Sequence, residues 1–259
     1  MRPGQVRRPQ VPDLGGFDPN RPGRYDVTYA ADRTSTVTRA VTVGGENGGD
    51  GKGVQMDRFS ELAADWDAQP GRRERAAEVA EAIRRALPLR GGNALEIGGG
   101  TGLLSRSLAD VLGPVTVSDV APGMVAAAAA AVAQRPAWTA IRYDIEHDPV
   151  PSERYNLVLC MLALHHMGDV PAVLGTMFEL VEPGGHVALV DLDRDEEGGF
   201  HRHVHDFDGH HGFDRRAVEE WLSAAGFVGG ATTTAGSETK VVDGVEKHFP
   251  LFLATAARP

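Results

Sequence analysis

Cysteine is nearly missing from this chain: Cys160 stands alone among 259 residues. A lone thiol excludes an intramolecular disulfide and any zinc site built on cysteine pairs. No apolar run approaches the ~20 residues that a membrane-spanning helix needs. Near the N-terminus, Arg2, Arg7 and Arg8 are followed by none of the apolar stretch that a signal peptide carries. The expectation is a cytoplasmic protein with no membrane partner. Positive charge is also in deficit, with 26 Lys and Arg against 36 Asp and Glu, a formal charge of −10. That balance offers no general attraction to nucleic acid, so a small-molecule substrate is expected. Oligomeric state leaves no signal in the sequence.

What is present is a globular composition, 42% hydrophobic and 24% charged, with length for one α/β domain and an appendage. Residues 1–55 differ from the rest. Pro3, Pro9, Pro12, Pro19 and Pro22 precede a Thr/Val stretch and then a glycine-rich run from Gly44 to Gly53. Such a segment buries little apolar surface and is expected to be a disordered extension, with residues 56–259 as the folded domain. The alternation from Val37 to Val43 allows a strand instead.

From Met56 the pattern turns helical, with Phe59, Leu62, Ala63 and Trp66 on one face and a second amphipathic run from Arg75 to Leu87. Strands and helices then alternate. Strands are predicted over Asn93–Ile97, Val115–Ser118, Thr139–Arg142, Tyr155–Leu162 and His186–Leu192. Helices are predicted over Leu103–Leu112, Gly123–Ala133, Val170–Val181 and Arg215–Ala225. Two late strand-like runs follow, Thr232–Val242 and His248–Ala256. Unbroken apolar strands separated by helices imply a mostly parallel sheet covered on both faces, a doubly wound Rossmann-like α/β fold.

The segment Ala94-Leu95-Glu96-Ile97-Gly98-Gly99-Gly100-Thr101-Gly102 falls where a strand turns into a helix. Glycines there let the backbone turn tightly and approach a ligand with no Cβ in the way, at the strand ends where open α/β sheets bind ligands. The dinucleotide fingerprint fits poorly, because its last small residue falls on Leu103 or Ser105. The pattern Glu-x-Gly-x-Gly-x-Gly is complete at Glu96, Gly98, Gly100 and Gly102. Here the chain resembles the class I S-adenosylmethionine-dependent methyltransferases, from about Phe59 to the C-terminus. The resemblance implies a seven-stranded sheet with an antiparallel last strand. It implies S-adenosylmethionine as cofactor, its methionine part against the glycine loop, and Glu96 anchoring the loop or the cofactor's amino group.

Two further positions extend the resemblance. Asp119 follows the second strand about twenty residues on, where a carboxylate accepts bonds from both ribose hydroxyls; a plain turn aspartate is the alternative. Asp144 and Ile145 follow the third strand, where family members place an acid on the adenine amino group and an apolar side chain on the ring. The fourth strand runs into Leu164-His165-His166-Met167, similar to small-molecule methyltransferases of the ubiquinone and menaquinone group. Asn156 departs from their usual Asp. The Asn/Asp-Pro-Pro-Tyr-like motif of enzymes that methylate amino groups of nucleic acids is not found after this strand.

Methyl transfer is an in-line displacement, so positioning the nucleophile does most of the work, and a base adds roughly 10²–10⁴-fold for a protonated acceptor. His166 is the first candidate base and His165 the second, with a structural role for either as the alternative. A later cluster, His201, His203, His205, His210 and His211 with Asp206 and Asp208, follows the fifth strand; His201 and His211, beside Phe200 and Phe213, are its favoured catalytic members. The cluster reads as a substrate lid, a metal site or a solvated loop. Without a recognised ligand spacing, no metal is assigned. An NAD(P)-dependent oxidoreductase and a non-catalytic cofactor-binding protein are the competing functions. The acidic segments near the pocket hint at a neutral or cationic acceptor.

Overall fold

A computed structural model describes residues 23–30, 36–43, 51–204 and 207–259. The chain divides between Gly49 and Asp50. In the first unit, β1 (Gly23–Ala30) and β2 (Thr36–Val43) pair antiparallel, Gly23 opposite Val43 and Ala30 opposite Thr36. The Val37–Val43 alternation falls within β2. The rest of the expected N-terminal extension lies outside the described residues up to α1 (Gly51–Leu62), which begins five residues ahead of Met56.

The second unit continues through α2 (Arg72–Ala86), β3 (Ala94–Ile97), α3 (Leu103–Ser107), β4 (Val115–Asp119), α4 (Pro122–Val132) and β5 (Trp138–Arg142). It ends with β6 (Tyr155–Met161), α5 (Val170–Leu180), β7 (Val181–Leu192), α6 (Arg215–Ala224), β8 (Val228–Val242) and β9 (Val245–Ala257). One seven-stranded sheet has the order β5-β4-β3-β6-β7-β9-β8. The first five run parallel, and β9 is antiparallel to both β7 and β8. The seven-stranded, doubly wound α/β expectation is met, with the antiparallel last strand inserted between β7 and β8.

Period-2 alternation sorts the strand side chains to two cores. Leu95, Ile97, Val158, Cys160, Val187, Leu189, Phe252 and Ala254 pack with Val173, Leu174 and Met177 of α5 and with Val218 and Leu222 of α6. Their neighbours Ala94, Leu157, Leu159, Ala188, Val190, Leu251 and Leu253 pack on the other face with Val79 and Ile83 of α2 and Leu104 of α3. Because both faces are covered, the central strands are mostly apolar.

Chain direction across the sheet reverses between β3 and β6, which opens a crevice at their carboxyl ends. Among the described residues no helix is long and apolar enough to cross a membrane.

Several boundaries differ from the sequence expectation, two of them with a clear local cause. Regular helix α3 stops at Ser107 instead of Leu112. The N–H groups of Val111 and Leu112 both donate to the Leu108 carbonyl, at 3.0 and 3.1 Å, tightening the last turn. This delivers Gly113 to the Gly92 carbonyl at 3.0 Å, where a Cβ on Gly113 would meet the Gly91 carbonyl oxygen at 2.2 Å. The β8–β9 hairpin is also longer than its apolar runs suggest, because ladder pairing carries polar residues of an edge strand along with it. Its turn, Asp243-Gly244, has φ of 52° and 80°, the two left-handed positions that match strand twist.

Phe252, on β9 between β7 and β8, is fully buried. Phe252→Ala is expected to lower unfolding free energy by ~3–5 kcal/mol, read from denaturant midpoints at unchanged slope.

Candidate active site

The loop after β3 holds Gly98, Gly100 and Gly102 at φ of 60°, 55° and 75°, a left-handed region that costs a side-chain-bearing residue ~1–2 kcal/mol. Gly98 also lies against Ala163, whose Cβ would be 2.4 Å from a Cβ on the glycine. Beneath the loop is Glu96, 1% exposed. Its Oε2 accepts the Ser105 N–H at 3.2 Å, tying β3 to the first turn of α3. Burial pushes its carboxyl up to about 7, against the opposing pull of the Ser105 hydrogen bonding.

Asp119 ends β4 and joins two loops. Its Oδ2 accepts the Gly100 N–H at 2.8 Å and its Oδ1 accepts the Ala121 N–H at 2.9 Å. Burial raises its pKa. The Asp119 carbonyl in turn accepts the Tyr143 N–H at 3.3 Å, setting the segment after β5 alongside. There Ile145 is buried. Asp144 Oδ1 accepts the Glu146 N–H at 3.0 Å, and its Oδ2 lies 3.0 Å from His147 Nδ1. The motif positions of the first three strands thus share one end of the sheet.

On the other side of the crevice β6 ends at Met161, and Leu162 takes φ 53°, a strain of order 1–3 kcal/mol for a bulky residue. Its N–H donates to the Val190 carbonyl at 2.8 Å, and the chain turns into a short 3₁₀ segment, Leu164–His166. His165 is buried, and its Nδ1 donates to Asp191 Oδ1 at 2.7 Å. Asp191, wholly buried near the end of β7, also accepts the backbone N–H of His165 at 3.2 Å and that of Leu192 at 2.7 Å. This bond fixes one tautomer of His165 and leaves Nε2 as the acceptor nitrogen.

His166 packs edge-on against Phe59 and Phe207, with ring centroids 5.5 and 5.7 Å away, and its buried Nδ1 has no partner. Burial, with the neighbouring imidazoles His165 and His201, pushes its pKa down to about 2. His201 stacks on Phe207 at 3.7 Å, and burial holds its pKa near 3. His211 lies 5.6 Å from His201 and 5.3 Å from Phe207.

The remaining late histidines disperse. His210 Nε2 bonds the Met167 carbonyl at 3.0 Å, His203 is exposed, and His205 and Asp206 lie outside the described residues. Among the described residues, a tight grouping of potential metal-binding atoms occurs at Asp144, Glu146 and His147. Each is already engaged: Asp144 and His147 with one another, and Glu146 Oε1 by the Gly168 N–H at 2.7 Å from the segment after Leu164–His166.

Asn156 bonds Asn93 and Glu182 at the opposite, amino end of the strands. A cleft of about 460 Å³ also opens there, between Pro88, Gly91, Val111, Asn156 and Gly185. None of the motif residues lines it. Asp191 was visible in the sequence only as an acid ending a strand; its partner lies 26 residues away. Phe207 and Lys240 carried no local signal.

Residues 72–229 match the family model described as a methyltransferase domain. The chain belongs to this family, of the class I, S-adenosylmethionine-dependent type. That membership displaces the nicotinamide alternative. Its relatives include the biotin biosynthesis bifunctional protein BioCD of Bordetella avium, 38% identical over 149 residues, a match spanning 56% of this chain and 31% of that protein. The ubiquinone biosynthesis O-methyltransferase of Proteus mirabilis is 30% identical over 154 residues, spanning 56% of this chain and 62% of the relative. Among solved structures, the N-methyltransferase NodS of Bradyrhizobium japonicum in complex with S-adenosyl-L-homocysteine aligns at TM-score 0.57 and 21% identity, over 81% of this chain and all of NodS. The DhpI complex with S-adenosylhomocysteine aligns at TM-score 0.59 and 24% identity, over 79% and 96% of the two chains.

The raised carboxyl of Glu96 has a thermodynamic consequence. Unfolded, it ionises near the ordinary 4.5; folded, it holds its proton to about 7. Between those values the unfolded chain binds fewer protons, so stability falls as pH rises and then levels off. Glu96→Gln is expected to remove that fall, gaining on the order of 2–3 kcal/mol relative to wild type at pH 8 and little at pH 4. Denaturant melts at both pH values read the difference.

Proposed function

We propose that this protein transfers a methyl group from S-adenosylmethionine to a small-molecule acceptor. The observation that carries the reading is Asp119, which holds the glycine loop by the Gly100 N–H while keeping carboxylate lone pairs for a ribose. The cradle fits the cofactor: three left-handed glycines leave no Cβ over the loop, and the Asp119 and Ile145 segments adjoin it. When bound, the cofactor supplies a methyl carbon activated by a sulfonium leaving group. In this reading Gly98, Gly100 and Gly102 line its methionine part, Asp119 takes the ribose hydroxyls, and Asp144 and Ile145 hold the adenine. Glu96 acts from beneath by fixing the loop to α3.

His165 is the better base, reversing the order that sequence position suggests. Asp191 orients it and stabilises the imidazolium formed when Nε2 takes the acceptor proton. His166 and His201, held neutral down to about pH 2 and 3, serve as pocket walls with His211. The acidic balance favours a small molecule over nucleic acid. The lone buried Cys160 is compatible with the cytoplasm. We assign the activity to residues 56–259 together with α1, and treat the segment before them as an extension outside the catalytic unit.

Calorimetry on the full chain tests the cofactor. S-adenosylhomocysteine is expected to bind and NADH to give no heat; Asp119→Ala is expected to weaken sulfur-cofactor binding ~10²-fold, the worth of one or two charged hydrogen bonds. A folded protein silent to both sulfur cofactors sinks the reading. For the base, turnover is screened on phenols, thiols and amines. On any proton-bearing acceptor found, Asp191→Asn is expected to cut kcat by ~10²–10⁴ while S-adenosylhomocysteine affinity holds.

A further inference from the structure

Beside the histidine and aromatic cluster, side chains gather charge of the opposite sign to the protein as a whole. Lys240, on β8, sits 3.3 Å from the centre of the Phe200 ring and donates to the Phe200 carbonyl at 3.1 Å. That ring is 4.8 Å from His201 and 6.5 Å from His165. From the other side, the Arg72 guanidinium lies 3.2 Å over Trp66, which meets Phe59 at 5.8 Å, and Phe59 meets His166. Arg75 bridges the two flanks through its ion pair with Glu238 on β8.

These cations are short of partners. Among the described residues, neither Lys240 nor Arg72 has a carboxylate within ion-pair distance, and buried Arg72 Nη1 and Arg75 Nε bond nothing. The nearby acids are already used: Glu238 by Arg75, and Asp67 by Arg106 and Thr101. Burial pushes Lys240 down to about 8, with Arg75, Arg72 and Arg58 adding repulsion, and it pushes Arg72 down to about 10. Half-desolvated cations with unmet donors are costly unless an anion joins them.

We propose that the methyl acceptor is an anion, a carboxylate or phosphate ester, whose charged group is bound by Lys240 with Arg72 and Arg75 while its reacting atom meets His165. This rests on the methyltransferase reading and reverses the sign that the acidic segments suggest. Lys240 and His165 approach the same Phe200 ring, 3.3 and 6.5 Å from its centre, so charge and reacting atom share one wall. Phe59, Phe200 and Phe207 supply apolar walls for a planar body between them.

The test is calorimetry on the full chain saturated with S-adenosylhomocysteine, using 4-hydroxybenzoate, phenyl phosphate and uncharged 4-hydroxybenzamide as probes. At least one of the two anions is expected to bind saturably, and the amide at least tenfold more weakly. Which anion binds better separates carboxylate from phosphate. Lys240→Gln is expected to weaken the anion at least tenfold and Lys240→Arg to restore much of it, while Arg216→Gln, at an exposed arginine of α6, changes nothing. Circular dichroism confirms folding of each variant.

Equal binding of amide and anions, or no saturable anion binding, overturns the proposal. So does a Lys240→Gln variant that loses S-adenosylhomocysteine in the same proportion, because the cations would then serve the cofactor. Anion binding that persists in a protein silent to S-adenosylhomocysteine separates the failure of the cofactor reading from that of this one.

Discussion

The hydrogen bond from the Gly100 N–H to Asp119 is the contact on which the cofactor side of the molecule depends. It joins the loop of one strand to the end of the next, and the Asp119 carbonyl passes the connection to a third through Tyr143. The parallel ladders set the three strand ends side by side, and this carboxylate ties the loops that leave them. Glu96 makes the matching bond beneath, from β3 to α3. Both carboxylates are destabilised as ions by burial, so the loop is held by groups that themselves lose by being there.

A separate device shapes the acceptor side. The backbone at Leu162 is forced into a left-handed conformation, and the bond to Val190 helps hold it there. The result throws Leu164–His166 across the mouth of the crevice, where Asp191 takes both the ring and the backbone N–H of His165. Two adjacent histidines thereby acquire opposite characters. One is paired and oriented by a carboxylate; the other is packed between Phe59 and Phe207 and kept neutral. In the proposed mechanism the base is the imidazole that found the acid.

The proposed acceptor site draws its cations from α2 and β8, each packed on an aromatic ring. In a chain of charge −10 this local reversal has a consequence for encounter as well as binding. The general field repels anions, while the pocket's low dielectric strengthens attraction at close range. Selectivity for an anion would then be expressed mainly inside the site.

Much of the architecture was legible in the residues. Apolar runs such as Tyr155–Met161 and the glycines at 98, 100 and 102 impose their conformations locally, so the strands along the chain and the turn could be read before any contact was known, while the cofactor class came with the family resemblance that the motif carries. Element ends were less legible: α3 stops at Ser107 because Gly113 must reach Gly92, and β8 extends because β9 pairs with it. Site chemistry on the acceptor side was least so. The His165–Asp191 bond spans 26 residues, and Arg72 and Lys240 come from opposite ends of the domain. The sequence by itself determined what depends on local sterics and hydrophobic period. Which histidine is oriented, which are buried neutral, and what charge surrounds them were decided only by tertiary structure, since hydrogen-bond partners and desolvation are properties of neighbours in space.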